Sequence, residues 1–143
     1  TAHSRAEEAR VYPAAAAAGI ADNVEHSQKE HLQADQLAAE VAATDPDSPD
    51  FTRKLSELID AVTHHMEEEE SSVLPGMREH MTSEELDKLG QAFLESRREH
   101  LGEEPADLTK TQMEQQAENA QLSGTSGLSK AELKKTLEAA AEE

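Results

Sequence analysis

The sequence predicts an all-α fold, an antiparallel helical bundle followed by a small helix-turn-helix module. Three observations lead there. Hydrophobic residues make up 36% of the chain but aromatics only 2%, with Ala and Leu dominant, a composition suited to thin helix-on-helix cores. Apolar residues recur at spacings of three and four through long stretches, the period of an amphipathic helix. Gly, Pro and capping residues punctuate those stretches at helix-sized intervals.

Taken in order, residues 1 to about 18 read as a helix rich in Ala and Glu, interrupted at Pro13 and ended by Gly19. His3 falls in helix already under way, from which we expect either processing or an upstream segment. Asp22 is the expected N-cap of a second helix reaching about Thr44, and DPDSPD is a loop with two prolines. A third helix starts at Asp50 or Thr52, reaches about His80 and is broken or bent near Pro75-Gly76. Thr82 followed by Glu85 is a capping box, opening a fourth helix that ends near Gly102. The character then changes at Glu103-Glu104-Pro105, which sets the expected organisation as a bundle over 1–103 and a two-helix module over 104–143. Within the module, PADLTKTQMEQQAENA is helical, LSGTSGLS is a turn, and Ser129 caps the last helix. This break leads us to expect that the tail is separable.

The charge balance, Lys+Arg 13 against Asp+Glu 31 and formally −18, opposes nucleic acid and anionic membranes and favours cations. No Cys is present, which excludes disulfides, iron–sulfur clusters and thiolate zinc sites. No stretch approaches the ~20 apolar residues of a membrane span and no signal peptide is visible. A cytoplasmic location is expected.

Seven His lie in this acidic chain, and six of them carry Glu four residues on. Such a spacing puts both side chains on one helical face, but in a Glu-rich helical protein it selects nothing by itself. Two features discriminate. His3-Ser-Arg-Ala-Glu7-Glu8-Ala-Arg-Val11-Tyr12-Pro13 aligns without a gap on His65-Met-Glu-Glu-Glu69-Glu70-Ser-Ser-Val73-Leu74-Pro75. Both read H-x-x-x-E-E-x-x-V-[YL]-P, an internal repeat. Second, His65 and Glu69 fall on the inward stripe of the third helix with Leu55, Leu58, Val62 and Val73. His31 falls on that of the second helix with Val24, Ser27, Ala34, Ala38 and Val41. A lone buried carboxylate costs several kcal/mol unless paired or metal-bound, so Glu and His converging in a core point to a cation. His26, His64, His80 and His100 miss the stripe or sit near helix ends and read as surface residues, although His64 pairs equally well with Glu68.

These residues resemble the hemerythrin-like HHE cation-binding family. HSRAEEARVYP is similar to that family's second-helix motif, KEHLQADQL to its third-helix segment, HHMEEEESSVLP to its fourth-helix motif and EELDKLG to its trailing helix. The likeness covers about residues 1–101. It implies a bundle around a non-haem di-iron site, with His3, Glu7, His31, His65 and Glu69 as metal ligands. The family's first helix, which supplies a further His, has no counterpart ahead of His3. We therefore expect an incomplete iron site and an apolar groove, covered by a second copy of the chain in a homodimer or by the tail around Leu133 and Leu137. Functionally, the resemblance implies binding or sensing of O2, nitric oxide or peroxide, or iron handling. Metal storage with a simpler mononuclear site and a non-catalytic helical interaction module are the alternatives.

The tail more weakly resembles SAP-like or Rho-N-terminal-like helix-turn-helix modules. Those carry basic residues in the turn, whereas GTSGLS has none, and four Lys face nine acidic residues from Glu103 onward. Interaction with protein, or packing, is expected of it as readily as phosphate binding.

Overall fold

In a computed structural model that describes residues 1–143, the first helix, α1, runs from Ala2 to a kink at Gly19, inside a last π-type stretch over Ala16–Ile20, and changes pitch three times. It is α-helical over Ala2–Ala6, widens into a π-type turn over Glu7–Val11, and returns to α-helix over Tyr12–Ala15. The widening has a cause in the sequence. Pro13 has no N–H to give the carbonyl four residues back, and its ring crowds that carbonyl. Helix α3, residues 49–80, behaves identically: α-helix over Pro49–Glu68, a π-type turn over Glu69–Val73, α-helix over Leu74–His80. The helix, expected to be broken or bent near Pro75-Gly76, runs on through both residues. The proline is accommodated one turn earlier, where the extra residue is absorbed. In each copy of the repeat the π-type turn begins at the carboxylate, Glu7 or Glu69.

Between α1 and α2 the chain reverses at Gly19, whose φ of +107° is strained for a residue bearing a Cβ. Helix α2 spans Ala21–Ala43, with Ile20 rather than Asp22 at its N-cap; Asp22 lies in the first turn, where a carboxylate meets the positive end of the helix dipole. Ser48 caps α3 by accepting from the Asp50 amide, two residues before the expected Asp50 and four before Thr52. Helix α4, Ser83–Glu99, opens with the expected capping box, Thr82 and Glu85 satisfying each other's amides. Helices α5, Lys110–Asn119, and α6, Lys130–Ala141, start with equivalent boxes at Thr109 and Ser129. No strand is present, and no helix is long and apolar enough to cross a membrane.

The all-α bundle is held by two apolar clusters with a polar layer between them. The first comprises Tyr12, Ala15, Ile20, Val24, Val73 and Met77; the second comprises Leu32, Met113, Ala117, Leu133, Leu137 and Ala140. Along α2, Val24 serves the first and Leu32 the second, and the buried Ser27, Gln28 and His31 lie between. Residues beyond 104 therefore return to the bundle. Helix α6 packs on α2 and α5 packs on α1 and α2, so the tail shares an apolar core with the rest of the chain. Leu133 and Leu137 cover the Leu32 side of α2, not the stripe of α3 expected to face inward. On that stripe Val62 is 39% exposed, and its neighbours Ile59 and Met66 are 55% and 54% exposed. Helix α4 packs against α1, and this half of α3 is partnered chiefly by α2.

Candidate metal centre

The polar layer contains one group of donors able to hold a cation. Glu7 from α1, His31 from α2, and His65 and Glu69 from α3 each offer an atom within 4.8 Å of the others. The π-type turns matter here. They begin at Glu7 and Glu69, and they bring Tyr12 round beneath the carboxylates. Its fully buried ring puts the hydroxyl 2.9 Å from Glu69 Oε1, to which it donates, and 3.1 Å from His31 Nε2.

Both imidazoles are oriented by a carboxylate on the outer nitrogen. His31 Nδ1 donates to Glu8 Oε1 at 3.2 Å, and His65 Nδ1 donates to Glu30 Oε2 at 2.8 Å. This fixes the rings so that both Nε2 atoms face inward, 2.9 Å apart. Carboxylates in this position orient metal-binding histidines and raise their basicity. Glu7 Oε2 lies 3.3 Å from His31 Nε2 and has no geometrically sound hydrogen bond although it is buried. An orphaned buried carboxylate oxygen beside two converging imidazoles fits a cation. The donor set, two imidazoles and two carboxylates without thiolate, suits iron, zinc or manganese.

The electrostatics follow from the same contacts. Burial works against charge on His31, but the adjacent carboxylates of Glu7 and Glu8 outweigh it and hold the imidazolium up to about 10. Burial would raise Glu7 and Glu8; a hydrogen bond from His3 and the charge of nearby His31 act on the first, a hydrogen bond from His31 and the charge of Arg5 on the second, and both are held at about 2. Burial and the charge on His31 lower His65. Hence His31 donates from both nitrogens, and neutral His65 accepts at Nε2. Glu69 moves the other way: burial and repulsion from Glu7 raise it to about 7. Burial, followed by Glu7 and Glu69, raises the Tyr12 phenol.

Four of the five expected ligands thus come together. His3 stands at the rim, its side chain 63% exposed, with Nε2 2.9 Å from Glu7 Oε1 and its ring edge-on to Phe93. The two oxygens of Glu7 therefore face different imidazoles, His31 and His3. A cavity of about 420 Å³ opens beside them, bounded by Glu7, Glu69, Leu86, Leu89 and Phe93. His26 and His64 are exposed, 59% and 63% by side chain, and it is His65 and Glu69, not His64 and Glu68, that lie in the converging group. The sequence reading missed Glu8, Glu30, Tyr12 and Gln28. Glu8 and Tyr12 both stand in the repeat, but nothing there set them apart as partners of the site.

Comparison with known proteins agrees with this geometry. The family model described as hemerythrin HHE cation binding domain matches residues 1–77, more than half of the chain. A protein described as DNA nickase from Nostoc sp. (strain PCC 7120) is 27% identical over 93 residues, covering 65% of this chain and 26% of that protein. The chain therefore spans about a quarter of the length of that relative. No solved structure matches significantly. With the repeat, the fold and the converging donors in place, the chain belongs to the hemerythrin HHE cation-binding domain family.

Proposed function

We propose that this chain binds iron through Glu7, His31, His65 and Glu69, and that the centre binds or senses a small ligand such as O2, nitric oxide or peroxide. The observation that carries the reading is the convergence of four donor atoms from three helices within 4.8 Å. In a hydrophobic setting such convergence is unfavourable without a cation or proton to bind it together. Glu7, with one oxygen toward His31 and the other toward His3, suits a carboxylate shared by two metal positions. One position is well provided with donors and the other, at His3, is poorly provided, so we expect fewer than two tightly held irons per chain. Bound iron would supply redox and ligand-binding chemistry. The protein's own part is to orient the imidazoles through Glu8 and Glu30 and to admit a small molecule through the cavity beside Glu7.

A metal store with a mononuclear site is the second reading, favoured by the same single point of convergence. The exposed Ile59, Val62 and Met66 form the face on which a second copy of the chain would pack. The activity in the name of the Nostoc relative is not transferred, because the shared segment is a small part of that protein and a charge of −18 opposes a phosphate backbone.

Anaerobic loading with Fe(II) followed by air exposure tests the reading. Near-ultraviolet absorption of an oxidised iron pair supports it; iron retained without that band favours the mononuclear store. A chain that emerges from desalting without iron contradicts both.

A further inference from the structure

We propose that helix α5 is a positioning element of the metal centre: Gln116 and Asn119 hold Glu8, and Glu8 in turn holds His31. The inference rests on the reading of Glu7, His31, His65 and Glu69 as a cation site and extends it to a segment outside the matched residues 1–77.

The link is a continuous buried chain of hydrogen bonds. Gln116 Nε2 donates to both oxygens of Glu8, at 3.2 Å each. Asn119 Nδ2 donates to the backbone carbonyl of Glu8 and to Gln28 Oε1, both at 3.0 Å. Gln28 Nε2 and Arg5 Nη1 donate to Glu8 at 2.9 Å. Glu8 then accepts from His31 Nδ1. Gln116 and Gln28 are fully buried, and Asn119 and Glu8 are 5% and 3% exposed. The carboxylate of Glu8 thus has little freedom to turn away from His31, and two of the side chains that restrain it lie more than 100 positions along the chain.

The internal repeat supplies its own comparison. Glu70 occupies in α3 the place that Glu8 occupies in α1, yet Glu70 is exposed. The difference is the tail, which covers α1. His65 has no such support. Its partner Glu30 comes from α2, and Glu30 Oε1 makes no hydrogen bond, with only the exposed His64 and His26 near it at 3.4 and 3.5 Å. The orientation of the Gln116 amide is also determined, since its Oε1 has no partner and a flipped amide would set that oxygen against Glu8. Gln116→Met keeps the buried volume while removing the donor.

The test uses the full chain loaded with Co(II), whose visible bands report ligand geometry. Gln116→Met and Asn119→Leu are expected to weaken Co(II) binding about 10- to 100-fold, the usual effect of losing a partner behind a metal-binding histidine, and to shift the bands. Leu137→Ala, which thins the tail's apolar packing without touching Glu8, should lower thermal stability but leave the bands in place. In a double-mutant cycle, Gln116→Met should add almost nothing to the loss caused by Glu8→Gln. Should Gln116→Met fail to fold, Asn119→Leu reads the same link. Wild-type bands and affinity in both tail variants would overturn the proposal, as would equal shifts from Leu137→Ala or fully additive losses in the cycle. A wild-type chain that takes up no Co(II) would instead overturn the metal reading on which it rests.

Discussion

The Nε2 atoms of His31 and His65, thirty-four positions apart in the chain, lie 2.9 Å from each other. Each ring has its other nitrogen engaged by a carboxylate, Glu8 or Glu30, so neither can turn away without breaking a buried hydrogen bond. Two imidazoles fixed edge to edge share either a proton or a metal ion.

Metal binding should depend on Glu69 and hardly on its neighbour. Glu69 lies within the converging group, whereas the Glu68 side chain is 40% exposed and reaches only the exposed His26, at 3.9 Å. Glu69→Ala is expected to abolish most binding and Glu68→Ala to change it little. Elemental analysis of both variants after desalting checks this; equal losses would point to a His64–Glu68 site.

Affinity for metal should rise with pH. A cation at His31 must displace a proton held up to about 10, and one at Glu69 a proton held up to about 7. The rise should be steeper below about pH 7, where Glu69 as well as His31 must release a proton, than between about 7 and 10, where only His31 does, because ligands bind metal deprotonated. Calorimetric titration in buffers of different ionisation heat measures the protons released. A flat profile would mean that His31 is already neutral.

The same groups set the pH range of the chelated, metal-free protein. Glu8 is depressed to about 2 from an ordinary value near 4.3, so its contribution is complete above the ordinary value and lost as pH falls toward 2. A shift of that size is of order 3 kcal/mol. His31 is raised, so its contribution is complete below about 6.5 and lost as pH rises through about 10. Glu69, raised to about 7 by burial and Glu7, loses its contribution as pH rises above its ordinary value, so thermal melts across pH should be highest between roughly 4.5 and 6.5, toward the acid end of that range. A maximum above pH 8 would contradict this network.

Removing the Tyr12 hydroxyl leaves Glu69 Oε1 without its donor. Loss of one partner from a buried pair costs about 1–3 kcal/mol, or a melting temperature lower by about 2–4 °C per kcal/mol in a protein of this size. Tyr12→Phe is expected to lower the melting temperature accordingly while retaining metal. A variant that melts as wild type would show that the hydroxyl is not held by Glu69.

Much of this was legible in the residues. The repeat places Glu7 opposite Glu69, and the core stripes mark His31, His65 and Glu69, because polar residues on an apolar face stand out by position. What spacing cannot give is a partner on another helix. Glu8 and Glu30 grip His31 and His65 across helices, and in so Glu-rich a chain neither looked different from its surface neighbours. Pro13 and Pro75 suggested breaks; absorbed as wider turns, they instead align the carboxylates with Tyr12. The stripe through Leu55 and Val62 has the right period for burial, yet Val62 stays 39% exposed, since period sets a face and not what lies against it. For the same reason the composition break at Glu103 marked a change of element but not the return of Gln116 and Asn119 to Glu8.

The most direct measurement is a crystal of the full chain loaded with Fe(II), with anomalous scattering recorded at the iron edge. We expect a peak at bonding distance, about 2.0–2.2 Å for first-row divalent ions, from His31 Nε2, His65 Nε2, Glu7 and Glu69, with any weaker peak lying near His3. Iron found instead on the exposed His26 and His64, or nowhere in a crystal that diffracts well, would contradict the assignment.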